Sequence, residues 1–120
     1  MSKEIFDENI IKALTKIRTP IIGKGGIKFY FRDKARKETG FEHIAKKSHR
    51  LKVRDIESVE SILKHPILVL KDPNNPTYKN YYGSRHGNDN VKLIKIVTWV
   101  PYRGSTIEYI MTIYPTKKIK

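Results

Sequence analysis

Cysteine is absent from the 120 residues. That excludes disulfides, cysteine zinc sites, iron–sulfur clusters and thiol nucleophiles, and leaves stability to the core. No run approaches the roughly 18 apolar residues of a membrane span. The N-terminus carries Lys3, Glu4, Asp7 and Glu8, which does not fit a secretory signal. The expectation is a cytoplasmic protein, with delivery into a target or host cell left open, and no membrane partner. Acid is also scarce. There are 12 Asp+Glu against 25 Lys+Arg, a formal net charge of +13. A small domain with that excess repels itself and draws polyanions, nucleic acid first and an acidic partner protein or anionic surface next. The few acids are scattered and mostly N-terminal, so two-metal nuclease chemistry has no cluster to work with. His43 and His49 are not spaced as the i, i+4 pair of a helical zinc site. Gly23-Lys-Gly-Gly26 lacks the GxxxxGK[ST] spacing of a phosphate loop. No metal or other cofactor is expected.

What remains is a globular mix, 38% apolar and 31% charged, of a length that suits one domain. Residues 4–17 place Ile5, Phe6, Ile10, Ala13, Leu14 and Ile17 on one helical stripe, with Pro20 beyond its end. Ile27, Phe29 and Phe31 alternate with Lys28 and Tyr30 as in a short strand after a glycine-rich turn. Residues 32–40 read as a charged loop or helical turn. A second helix is predicted over 41–50 and a third over 55–64, closed by His65-Pro66. Beyond Pro66 the pattern changes to strands at 67–70, 78–85, 91–102 and 106–114. Turn clusters at Asp72–Pro76, Gly87–Asn90 and Arg103–Ser105 separate them. Short turns between successive strands predict an antiparallel four-stranded β-meander with the N-terminal helices packed on one face, an α+β domain. Helices occupy about 4–64, the sheet about 67–114, and a basic tail 115–120.

Three clusters can carry chemistry. The stretch His43–Arg54 holds two histidines and a run of Lys and Arg with no acid. On a continuous helix His49 lies about 120° from His43. Both reach one groove only if the helix breaks near Ser48. The second cluster interleaves Tyr78, Tyr81 and Tyr82 with Lys79, Arg85 and His86. Tyrosines stack unpaired bases, and an arginine forks onto phosphate. Alternation puts Tyr78, Asn80 and Tyr82 on one face and Lys79, Tyr81 and Gly83 on the other. The third is the end of the last strand, where Thr112 and Tyr114 share a face and Met111 and Ile113 take the core side. Each cluster also has a plain structural reading: a solvated basic face, a half-buried strand, and ordinary strand surface.

The order of HIAKKSHR, DIESVESILKHP, LVLKD, YYGSR, a long apolar strand and IMTIYPT resembles the phage-type nucleases of the barnase–EndoU–colicin–RelE-like superfamily. The resemblance covers about residues 40–116. It implies a small metal-independent endoribonuclease, phage-associated or toxin-like. RNA, tRNA among the candidates, would be its substrate, and an acidic antitoxin or immunity protein its partner. The family's helix histidines fall on His43 and His49, its strand cation on Arg85, and its terminal hydroxyl on Thr112 with Tyr114 beside it. Lys46, Lys47, Arg50, Tyr82 and His86 would contact substrate. Lys46-Lys47 between the histidines and the tyrosine-rich second strand depart from the family pattern.

The mechanism implied is attack of a ribose 2′-OH on the adjacent phosphate, giving a 2′,3′-cyclic phosphate. His43, or else His49, would take the proton, and the second histidine or Tyr114 would protonate the leaving oxygen. Arg85 and a lysine of the 46–47 pair would stabilise the phosphorane. The competing readings are a non-catalytic RNA- or DNA-binding module, which needs only charge and tyrosines, and a phage protein that docks an acidic host protein.

Overall fold

The computed structural model describes residues 6–32, 41–85 and 90–117. The chain runs α1 (Glu8–Thr15), β1 (Ile21–Ile22), β2 (Lys28–Phe31), α2 (Phe41–Ile44), α3 (Val53–Glu57), α4 (Val59–Lys64), β3 (Leu68–Lys71), β4 (Tyr78–Ser84), β5 (Leu93–Trp99) and β6 (Ile107–Thr116). Residues 1–5, with the first two positions of the helix expected over 4–17, residues 33–40 of the charged segment, residues 86–89, with His86 and most of the second turn cluster, and the tail residues 118–120 lie outside the described residues.

Asp7 caps α1 by accepting from the Asn9 amide at 3.0 Å, and Ile10 and Leu14 are its buried stripe. In α3 the bond runs the other way along the chain: Asp55, in the first turn, reaches back and its Oδ2 accepts from the amide of the preceding cap residue Lys52 at 2.8 Å. The single helix expected over 55–64 is two. The Ser58 hydroxyl donates back to the Arg54 carbonyl at 2.9 Å, and the helix is interrupted there.

The sheet corrects the four-stranded antiparallel meander. It is a mixed six-stranded sheet in the order β1-β2-β6-β5-β4-β3. The four C-terminal strands pair antiparallel in sequence order. Two further strands, lying between α1 and α2 in the chain, extend the sheet. β1 and β2 form a hairpin across a 3-10 turn at Lys24–Gly26, and β2 lies parallel to β6, Lys28 opposite Ile107. Alternation at 27–31 predicts a strand but does not name its partner. The partner lies nearly the whole chain away, and a parallel pair needs a long crossover rather than a turn. Here the chain from β2 to β6 runs through α2, α3, α4 and three strands, and β6 is an interior strand between β2 and β5.

One face of the sheet meets the helices. Phe29, Tyr81, Ile94, Ile96, Ile110 and Ile113 pack there against Ile10, Leu14, Ile44, Ile56 and Leu63. Phe29 and Tyr81 meet edge to face at 5.3 Å, a favourable aromatic geometry. Tyr81 donates to Glu108 Oε1 at 2.8 Å, and Lys79 and Thr98 also donate to that buried carboxylate. Burial first, then the Glu108 charge and hydrogen bond, push the Tyr81 phenol far above its ordinary range.

A β-bulge sits in β6. Val97 pairs with Thr112 but Thr98 pairs with Ile110, so Met111 is the extra residue. Ile110 and Ile113 are therefore both buried, in place of the expected Met111 and Ile113. Thr112 and Tyr114 still share the opposite face.

Gly83 lets α4 sit close to β4. A Cβ there would collide with the Ile62 side chain, its Cγ2 and Cδ1 at 2.8 and 2.9 Å and its Cγ1 closer still. Gly83→Ala is expected to destabilise the fold by about 1–3 kcal/mol through overpacking. Urea unfolding checks this, and Gly83→Ala combined with Ile62→Ala should cost less than the sum of the two single changes.

Candidate active site

The expected helix over 41–50 stops short. α2 ends with the Ala45 amide bonded to the Phe41 carbonyl at 2.8 Å. Lys46 then adopts φ −54°, ψ 128°, and a 3-10 turn follows over Lys47–His49. The break is held from outside. The Asp7 amide donates to the Ala45 carbonyl at 2.8 Å, and Phe6 bridges Lys46 antiparallel. Arg50 closes the turn in the left-handed region, φ 57°. The break falls two residues before Ser48.

This bend reverses the geometry of a continuous helix. The rings of His43 and His49 meet edge to face at 5.7 Å, and the His49 ring lies 6.3 Å from Tyr114 on β6. Lys95 on β5 joins from the neighbouring strand, where it is registered opposite Tyr114 on one side and Tyr82 on the other. Its Nζ is 5.4 Å from the Tyr114 ring centre and 6.0 Å from that of Tyr82. Partial burial works against the charge, but the hydrogen bond to the Tyr114 phenol, with the fields of Tyr114, Tyr82 and Asp72, outweighs it, so the Lys95 ammonium titrates above its usual range. His43, His49, Tyr114, Lys95 and Tyr82 thus form one continuous row. Thr112 lies two residues before Tyr114 on the same face, opposite Val97.

The tautomer of His49 is readable. Its Nδ1 is 3.1 Å from the Ile44 carbonyl oxygen, which can only accept. Nδ1 therefore carries the proton in the neutral ring, and Nε2 keeps its lone pair as an acceptor.

Beside this row lies a cavity of about 630 Å³, lined among others by Lys46, Lys47, His49, Arg50, Lys52 and Arg85. Pro115 borders it, directly after Tyr114. His49 is the residue common to the row and the cavity. Lys46, Lys47 and Arg50, expected as substrate contacts, come together here. Tyr82 is fully buried and supports Lys95 rather than offering a face to a base. His86 lies outside the described residues.

Arg85 has a partner already. Its Nε and Nη2 donate to Asp55 Oδ1 and Oδ2 at 3.1 and 3.2 Å, and Nη2 also reaches the Arg50 carbonyl at 3.4 Å. The Arg85 and Asp55 side chains are 3% and 1% exposed. Alternation on β4 puts Arg85 on the Tyr81 side of the sheet, away from Lys95 and Tyr114. The guanidinium borders the cavity as half of a buried ion pair. Sequence reading missed Lys95. The signal was present in the alternation of β5, which places one lysine among Ile94, Ile96 and Val97, but the strand reads as apolar on both faces.

Among the described residues no three or more His, Asp or Glu gather where they could hold a metal ion, and no helix is long and apolar enough to cross a membrane. No family model matches this chain, and neither does any curated protein or solved structure.

Arg85→Met should leave Asp55 buried and unpaired and cost about 3–5 kcal/mol. The midpoint of urea unfolding measures it; an unchanged midpoint would mean that the pair does not hold the fold.

Proposed function

We propose that this protein is a metal-independent endoribonuclease acting in the cytoplasm, and that the row His43–His49–Tyr114–Lys95 is its active site. The observation that carries the reading is the His49 tautomer: an imidazole held by the Ile44 carbonyl presents Nε2 as a base, at the mouth of a cationic cavity and next to a lysine–phenol pair. The resemblance of HIAKKSHR and IMTIYPT to the barnase–EndoU–colicin–RelE-like nucleases supports the same reading.

The chemistry balances without a cofactor. His49 Nε2 takes the proton of a ribose 2′-OH, and that oxygen attacks the adjacent phosphorus. The bond from phosphorus to the 5′-oxygen breaks, giving a 2′,3′-cyclic phosphate. The lysines of the cavity hold the flanking phosphates, and Lys95 neutralises the charge that gathers on the phosphorane. The Tyr114 oxygen accepts from Lys95, so its own O–H remains to protonate the departing 5′-oxygen. His43 packs edge to face on His49 and fixes that ring. The Ile44 contact favours His49 over His43 as the base. Lys95 takes the cationic role expected of Arg85, and Arg85 is a positioning residue that holds the carbonyl of Arg50 next to His49. Thr112, on the same face as Tyr114, is assigned the role of donating its hydroxyl to a phosphate oxygen. A toxin-like role follows from the same reading, with an acidic antitoxin or immunity protein covering the basic cavity.

Purified protein is expected to cut RNA in excess EDTA. His49→Ala should lower the rate by about 10²–10⁴, and Lys95→Met by about 10²–10³, with RNA affinity changed little. Because Lys95 titrates above its usual value, its charge is fully present below the ordinary lysine range. The rate should show no alkaline loss due to Lys95 below about pH 10. RNA that is bound but left intact would instead favour a non-catalytic binding module.

A further inference from the structure

The face of the sheet turned away from the helices carries a second row of aromatic side chains that the proposed chemistry does not use. Tyr30 on β2, Tyr109 on β6 and Trp99 on β5 are cross-strand neighbours in one line. The Tyr30 and Tyr109 rings are 6.2 Å apart and those of Tyr109 and Trp99 are 5.6 Å apart, each pair tilted by only 34°. All three are half-buried. The Arg32 guanidinium lies 6.0 Å over the Trp99 ring, and its Nη1 donates to Met111 Sδ at 3.4 Å, which anchors it on the bulge. Lys28, exposed, shares the face by strand alternation.

A sheet face built only to be covered by solvent has no use for three large rings in register. A face built to be covered by a protein would bring apolar side chains, not an arginine and a lysine set among aromatics. Neighbouring aromatic rings interleaved with cations match the two parts of an unpaired nucleotide, a flat base and a phosphate. The net charge of +13 complements a polyanion. The position also fits. Trp99 is four residues beyond Lys95 on the same face of the same strand, about 13 Å away. That is too far for the nucleotide being cut and suitable for its neighbours along the strand.

We infer that Tyr30, Tyr109, Trp99 and Arg32 form a stacking subsite for unpaired bases flanking the cleaved bond, so that the substrate is single-stranded RNA lying across the sheet. The inference rests on the ribonuclease reading for the word substrate but is tested apart from it.

Trp99 is the only tryptophan, so its fluorescence reports on this subsite alone. The full chain is titrated with a short 2′-O-methyl oligouridylate, which cannot be cut through a 2′-OH, and in parallel with a 2′-O-methyl duplex of equal length. The single strand should quench Trp99 saturably and the duplex should not. Tyr109→Leu and Tyr30→Leu, which keep apolar bulk, should each weaken single-strand binding about 5-fold or more. The subsite is overturned if the single strand does not bind, if it binds by anisotropy without moving Trp99 emission, or if duplex and single strand quench alike. It is also overturned if both leucine variants bind as wild type. Quenching with no cleavage of ordinary RNA would sink the ribonuclease reading and keep the subsite. Cleavage without quenching would do the reverse.

Discussion

The buried ion pair between Asp55 and Arg85 is the constraint on which the rest of the arrangement depends. Asp55 caps α3 through the Lys52 amide, and the same carboxylate receives two guanidinium bonds from the end of β4. Arg85 then passes hydrogen bonds to the carbonyls of Arg50 and Val91 at 3.4 Å each, while its own amide bonds the Lys92 carbonyl at 2.7 Å. One side chain thus fastens the helical layer, the exit of the histidine turn and the approach to β5. A pair this deep contributes little net energy relative to an apolar replacement, but removing either partner strands a charge. Its value here is positional. Arg50 sits at positive φ immediately after His49, a conformation that persists only where its surroundings hold it.

The site is assembled from both ends of the chain. Phe6 and Asp7, at the entry to α1, pin the break after α2, and the break swings His49 toward β6. The bulge at Met111 lets Ile110 and Ile113 both enter the core while Thr112 and Tyr114 keep the other face. Register across β4, β5 and β6 then sets Tyr82, Lys95 and Tyr114 in line. None of these devices is strong alone. Together they bring an imidazole, a phenol and an ammonium from three separate elements into one row.

Much of this was legible in the residues. Alternation in YKNYYGS assigns its two faces, and the turn clusters at Asp72–Pro76 and Arg103–Ser105 fall between paired antiparallel strands. The pairing of Thr112 with Tyr114 followed from strand period. The full sheet is not legible in the sequence, because local pattern names strands whereas pairing between β2 and β6 is set by tertiary packing across most of the chain. Lys95 was hidden in a strand whose composition reads as buried on both sides. Nothing in the sequence ties Arg85 to Asp55, thirty residues earlier, so its pairing is not legible there. The break in the histidine helix was foreseen only as a condition. Its cause, a backbone bond from Asp7, carries no local signal.

The most direct test is a 2′-O-methyl oligonucleotide containing a single ordinary ribonucleotide, incubated with the protein in excess EDTA and read by mass spectrometry. Cleavage only on the 3′ side of that ribonucleotide, leaving a 2′,3′-cyclic phosphate, is the predicted result. Cleavage at other positions, or an intact oligonucleotide under conditions where it binds, would contradict a 2′-OH attack assisted by His49.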